Sequence, residues 1–327
     1  MARQAQSSFE YWLERNAARR MDMAQQAAAD VSARAAYAHI RALETIQEEM
    51  TRLFGRFSEG LDPQDARRML HSEVDNNTYD ELMQIFQTAT SPSVKEAARQ
   101  ALNREPLKYR IQRQEAMRQT IANEMMKLAD NDTGMIESFL KEAAQQTMDQ
   151  GAQDIAQLVG MDFPARPMSQ GRLDQMVKAP WSGEDFSTRV WNNLDELGVR
   201  MNEAIPQGMM AGKSHREIAK DLEDLTDQGN HATERLVRTE TTHVVAEADK
   251  ESAKSRGAER MKFSAILDSR TSKVCTHMDG KIIPIDELQP GKNQPPMHPH
   301  CRSVLLEVNP RMDAIRARLA ARDAIND

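Results

Sequence analysis

The chain has 327 residues, enough for two domains, and its formal charge of -7 argues against a surface built to coat nucleic acid. Two cysteines exclude a disulfide framework, while 5% aromatics and a mean hydropathy of -0.69 point to a helix-rich chain with thin cores that gains from partners or self-association. The first residues lack the apolar run of a signal peptide and no stretch reaches the roughly 18 apolar residues of a membrane span, so synthesis in a cytosol and no membrane segment are expected.

In chain order, the first predicted element is a helical seam within residues 28–57, where Leu43, Ile46, Met50, Leu53 and Phe57 recur at alternating spacings of three and four. Asp62-Pro63 supplies an N-cap and a first-turn proline, and Ser93 with Glu96 reads as a capping box after Pro92. Residues 95–118 carry seven cations against three carboxylates, a net +4. A solvated face laced with ion pairs is expected there; Arg104, Lys108, Arg110 and Arg113 are the candidate DNA contacts if it is not. Met117, Ile121, Met125 and Leu128 form a further apolar stripe. Residues 1–165 therefore read as a helical domain.

Pro164, Pro167, Gly171 and Pro180 mark a loop-rich boundary. Beyond it, Ser182 with Asp185 and Ser214 with Glu217 have the spacing of helix starts, and a further helix spans about residues 231–256, stopping at Gly257. The period then changes to two over Met261, Phe263, Ala265 and Leu267, followed by a hairpin signal at Asp279-Gly280 and a last strand over 302–308. The fold class expected is α+β: a mainly helical N-terminal domain, a smaller domain of helices and antiparallel sheet over 170–310, and a helical tail over 311–327.

Gly212-Lys213-Ser214 falls one residue short of the phosphate-loop spacing and follows no strand, so it reads as a linker and a helix cap. Glu240 and His243 have the Glu-x-x-His spacing of di-iron bundles, but a single copy reads as a polar helix face. The window from Cys275 to Cys301 is different. It holds both cysteines and three of the eight histidines: Cys275, His277, His298, His300 and Cys301. Those are zinc ligands, and a closed zinc would add folding energy to a thin loop region. Cys275 and His277, two apart, are expected on one side of an extended strand. The competing reading makes the cysteines small buried residues and the histidines hydrogen-bonded loop residues. A zinc-dependent nuclease or other hydrolase acting on DNA would need a base such as Asp268 or Asp279, and a nucleotide-transferase site would use Arg238 and Glu240. Each candidate base also has a turn-forming explanation, so no catalytic residue is assigned and a non-enzyme is expected.

Several short runs agree in order and spacing with a known family over about residues 180–308. They are Trp181-Ser182-Gly183 with Phe186, Ser187 and Arg189, then Arg238-Thr239-Glu240-Thr241, Asp268-Ser269-Arg270-Thr271, Asp279-Gly280 and Pro295-Pro296-Met297-His298-Pro299-His300-Cys301-Arg302. The chain resembles the head morphogenesis, or Mu F-like, minor head proteins of tailed bacteriophages. In that family a Thr-Cys-x-x-Cys run pairs with His-Pro-x-Cys-Arg-Cys in a metal knuckle. Here Ser272 and Ser303 stand at the first and last cysteines, leaving Cys275, His298 and Cys301, with His277 or His300 as candidate fourth ligands. The resemblance implies a minor capsid protein made in the host cytoplasm and placed inside the head near the portal vertex, aiding head assembly, DNA packaging or genome ejection. It implies the portal protein as partner, with scaffold, major capsid protein and packaged DNA as further candidates; the long helices of residues 1–165, which the resemblance does not cover, are expected on their own grounds to bind the portal or to oligomerise.

Overall fold

Leu43, Ile46, Met50 and Leu53 lie on the buried side of helix α1 (Ser8–Phe54), none more than 7% exposed, as their spacing requires. Phe57 falls outside the helix, because Gly55 follows its last residue with a φ of +71°. The computed structural model describes residues 8–75, 78–104, 110–160, 167–309 and 314. Its other elements are α2 (Pro63–His71), β1 (Glu73–Asp75), α3 (Thr78–Thr88), α4 (Pro92–Arg104), β2 (Arg110–Gln112), α5 (Arg113–Val159), α6 (Gln170–Val177), α7 (Phe186–Met210), α8 (His215–Ser255), β3 (Arg260–Ser264), α9 (Lys273–Met278), β4 (Ile282–Pro284) and β5 (Val304–Val308). This is the mainly helical α+β layout that the sequence predicts. None of the described helices is long and apolar enough to cross a membrane.

The described residues form two compact units, one drawn from Met1–Asp30, Glu137–Phe186 and Arg235–Asp327, the other from Val31–Ile136 and Ser187–Glu234. The division runs through α1, α5 and α8, and the loop-rich stretch at 160–180 lies within the first unit.

In the second unit, Asp62 caps α2 by accepting from the Gln64 and Asp65 amides at 2.8 and 3.1 Å, with Pro63 at the first helical position as expected. The Ser93 capping box does not form. α4 starts one residue earlier, at Pro92, with the Lys95 amide on the Ser91 carbonyl, and Glu96 instead pairs with Arg99 at 2.7 Å. Met117, Ile121, Met125 and Leu128 are all buried along α5. The two-stranded β1–β2 ladder places Asp75 opposite Arg110, 3.9 Å apart. Within the helices His39 is 1% exposed, with Nδ1 2.8 Å from Asn230 Oδ1 and Nε2 2.8 Å from Asp132 Oδ2.

The cation-rich region behaves largely as a solvated face. Arg99 pairs with Glu96, Arg118 with Glu115 at 2.5 Å and Arg110 with Asp75, while Arg113 donates to the Leu53 carbonyl. Lys108 and the side chain of Arg104 lie outside the described residues, as does the predicted tail helix, Ala314 excepted.

Ser214 and Glu217 do form a reciprocal capping box: the Ser214 amide donates to Glu217 Oε2 at 2.8 Å and the Glu217 amide to Ser214 Oγ at 3.3 Å. The two helices predicted after it are one, α8, which runs without a break through Gly229. A Cβ at Gly229 would stand 3.0 Å from Leu197 Cδ2, so glycine there admits a close neighbour and does not end the helix. Capping-box spacing also misplaces the start of α7, which begins at Phe186 after a turn over 181–184.

In the first unit α8 stops where predicted, at Gly257 with φ +82°, and the Ala258 amide reaches the Ala253 carbonyl at 3.1 Å. β3 then occupies the centre of an antiparallel sheet ordered β4-β3-β5, with Met261 opposite Ile283 and Phe263 opposite Leu305. Alternation along β5 divides its side chains between two cores. Leu305 joins Phe263, Met261, Ile283, Cys275 and Cys301, whereas Val304 and Leu306 join Leu13, Ala17, Met21, Ile155, Val159 and Val245. A buried ionic network lies nearby: Arg20 donates to Asp154 and, at 3.1 Å, to Asp249, while Arg256 pairs with Glu307 at 2.6 Å.

Candidate functional site

Residues 273–278, expected as part of a strand, are helical, and this decides which candidate ligands meet. Ser272 caps α9 by accepting from the Cys275 amide at 3.2 Å. In an α-helix, residues two apart lie about 200° apart, so Cys275 is buried in the core while His277 is exposed to solvent. The expectation that both would face one way fails for that reason.

Cys275 meets the second cluster. Its Sγ lies 3.7 Å from Cys301 Sγ and 3.3 Å from His298 Nε2, and the three ligand atoms all fall within 4.8 Å of one another. His298 Nδ1 is 2.8 Å from the Pro299 carbonyl, which can only accept. The ring proton therefore sits on Nδ1, and the Nε2 lone pair is directed at the sulfurs. His300 does not join: it is exposed, has a φ of +58°, and its amide lies 3.4 Å from Thr239 Oγ1. Among the described residues the five candidates reduce to three.

The donor set fits zinc. Tetrahedral ligation at a Zn–S distance of about 2.3 Å and a Zn–N distance of about 2.0 Å separates two sulfurs by about 3.8 Å and sulfur from nitrogen by about 3.5 Å. Cys275, Cys301 and His298 already stand near those separations. The surroundings favour thiolate. Hydrogen bonding from Cys301 holds the Cys275 thiol down at about 5 against the opposing effect of burial, with the Ser272 and Ser303 hydroxyls adding to it. Sharing that proton, together with burial, pushes Cys301 up, although the Met297 and Ser303 amides donate to its sulfur. One proton leaves this pair easily and the second is held, which is the charge problem a bound cation would relieve.

The other motif residues surround this cluster. Arg302 Nη2 reaches both Asp268 oxygens at 2.7 Å, and Asp268 Oδ1 accepts from the Arg270 amide at 2.9 Å. The guanidinium holds the Asp268 carboxyl at about 2. Asp279 Oδ1 accepts from the Ala265 amide at 2.9 Å, and Gly280, at φ +80°, donates its amide to Phe263. Both aspartates offered as general bases are thus engaged in turns. Pro296, buried, follows a cis Pro295–Pro296 peptide.

On α8, Glu240 and His243 are 1% and 2% exposed, so the expected polar face is in fact buried. Trp181 Nε1 donates to Glu240 Oε2 at 2.9 Å, and its ring stacks on His243 with centroids 4.9 Å apart. Gly183 supplies a φ of +101° in the turn that carries Trp181. The Arg238 carbonyl accepts from Gln25 Nε2 at 3.0 Å. Arg189 lies on α7 in the other unit. Motif spacing alone did not single out Thr242 or Gln294. Thr242 Oγ1 donates to the Cys301 carbonyl at 2.6 Å, and Gln294 Nε2 to Glu247 at 2.6 Å. The only prior sign of Thr242 was its place in the Arg238-to-His243 run.

Residues 200–306 match the family described as phage Mu protein F like protein. The head morphogenesis resemblance drawn from the motifs is thereby borne out over a segment that contains α8, the sheet and the cysteine cluster. The chain is also similar to the NAD(+)–arginine ADP-ribosyltransferase EFV of Enterococcus faecalis, 25% identical over 178 residues, which are 51% of this chain and 36% of that protein's length. No solved structure matches.

Proposed function

We propose that this chain is a minor head protein of a tailed phage, carried inside the head near the portal vertex, where it binds the portal protein and aids head assembly, DNA packaging or genome ejection. The observation that carries this reading is the Mu F-like match across residues 200–306, within which Thr242 donates to the Cys301 carbonyl and Arg302 pairs with Asp268. The helical region 1–165 is the proposed portal-facing or oligomerising part. In its favour, Tyr37 and Ile40, one turn apart on α1, are 64% and 45% exposed, as protein contact surfaces often are.

Cys275, Cys301 and His298 would hold one zinc ion in a structural role. It would tie α9 to the 298–302 turn and so hold Arg302 over Asp268. No catalytic residue is proposed, since Asp268 and Asp279 serve turns and the ADP-ribosyltransferase likeness covers little of that enzyme.

The test is co-expression of the tagged full chain with the portal protein of the same phage, followed by affinity purification and by mass spectrometry of purified particles. Portal co-purification and a low copy number per particle are expected. Absence from both would overturn the reading, and transfer of ADP-ribose from NAD to an arginine acceptor by the pure chain would replace it with an enzymatic one.

A further inference from the structure

We infer that the metal held by Cys275, His298 and Cys301 keeps a fourth coordination position open to an exogenous donor: water at rest, exchangeable for a small anion or an imidazole. This rests on the zinc reading above and goes past its purely structural form.

Three observations carry it. Among the described residues, only three side-chain atoms of His, Cys, Asp or Glu converge there, one short of a closed tetrahedron. The two histidines that could have completed it are turned elsewhere, His277 by the helical phase of α9 and His300 by its backbone at φ +58°. Finally, two polar side chains that hydrogen-bond Cys275, Ser272 and Ser303, do so through neutral hydroxyls. A neutral hydroxyl is a poor ligand for zinc beside thiolate and imidazole, and Ser272 already accepts from the Cys275 amide as the cap of α9. Of the two, Ser303, 3% exposed and not engaged as a cap, is the residue assigned to the open corner.

His298 is half-buried and its neighbours Pro299 and His300 are exposed, so the cluster lies roughly one side chain beneath the surface. Two thiolates make a divalent site formally neutral, and incoming donors of either charge class can displace the water without first separating an ion pair. A site of three protein ligands and one exchangeable position is the arrangement in which a metal acts on what it binds, whereas a four-ligand knuckle only holds chain together.

The experiment replaces zinc with cobalt(II) in the full chain and reads the visible ligand-field bands and the near-ultraviolet sulfur-to-cobalt absorption. Azide or imidazole should shift the ligand-field bands of the unaltered protein in a saturable way. Ser303→Cys, nearly isosteric, should raise the sulfur-to-cobalt absorption by about half as a third thiolate joins two, and should abolish the azide response. Bands that ignore azide and imidazole overturn the open position and leave the metal reading intact. A Ser303→Cys spectrum identical to the parent overturns the assignment of Ser303 to that corner. Failure of the full chain to take up either cobalt or zinc overturns both readings.

Discussion

Arg302 and Asp268, 34 positions apart, meet through one guanidinium nitrogen placed 2.7 Å from both carboxylate oxygens. The contact joins the residue after Cys301 to the turn that leads into α9, so it closes the same gap that the cysteines span. Because the Asp268 carboxyl is depressed to about 2 from an ordinary 3.8, its contribution is fully present above about pH 4 and fades as pH falls through about 2. Arg302→Ala should return the Asp268 titration midpoint to the ordinary carboxylate range, read by NMR of the side-chain carboxyl. A midpoint that stays near 2 would show that the Arg270 amide, not Arg302, sets it.

Trp181 contributes two separable interactions to the buried face of α8. Trp181→Phe keeps an aromatic surface for His243 but removes the donor to Glu240, so the loss isolates one hydrogen bond to a buried carboxylate. It should cost on the order of 1–3 kcal/mol in chemical denaturation, and Trp181→Ala more. Equal stability of the Phe variant and the parent would mean that Glu240 draws nothing from the indole.

Arg20 serves two carboxylates, Asp154 and Asp249, each under a tenth exposed. Arg20→Met removes the shared cation, leaving Asp154 with only the largely exposed Arg19, 3.3 Å away, and Asp249 without its ion-pair partner, a change expected to cost about 3–5 kcal/mol. Adding Asp154→Asn and Asp249→Asn should recover much of that loss. If the triple variant is no more stable than Arg20→Met, the penalty comes from lost packing and not from stranded charge.

Zinc should be found at one ion per full chain by mass spectrometry under native conditions, and a chelator should lower the unfolding temperature. At a free zinc concentration a thousandfold above the dissociation constant, linkage would supply about 4 kcal/mol. Cys301→Ala should carry no zinc and show no response to chelator. A chelator effect of the same size in both proteins would place the metal elsewhere.

The caps at Asp62, Ser214 and Gly257, the apolar stripes and the cysteine window were legible because each is written in residues close along the chain, whereas Ser93 and Ser182 had capping-box spacing without forming the cap. Ser214 with Glu217, Gly257 and the Leu43-to-Leu53 stripe all behave as their spacing dictates. Position 277 was misread because α9 has only six residues, too few for a helical period to show, and Ser272 alone marked its start. Glu240 and His243 looked like surface because their cover, Trp181, lies about 60 positions away and no local pattern signals it.

Val304 and Leu306 on β5 lie in one core with Leu13 and Ala17 on the first helix, almost the full chain apart. During synthesis at 5–20 residues per second, the start of α1 waits roughly 15–60 s for those partners to emerge. Until then its apolar side, Leu13, Ala17 and Met21, has nowhere native to go, which favours capture by a chaperone or by a second nascent copy. A chain that stops before β5 therefore leaves the core begun by Leu13 and Ala17 without Val304 and Leu306.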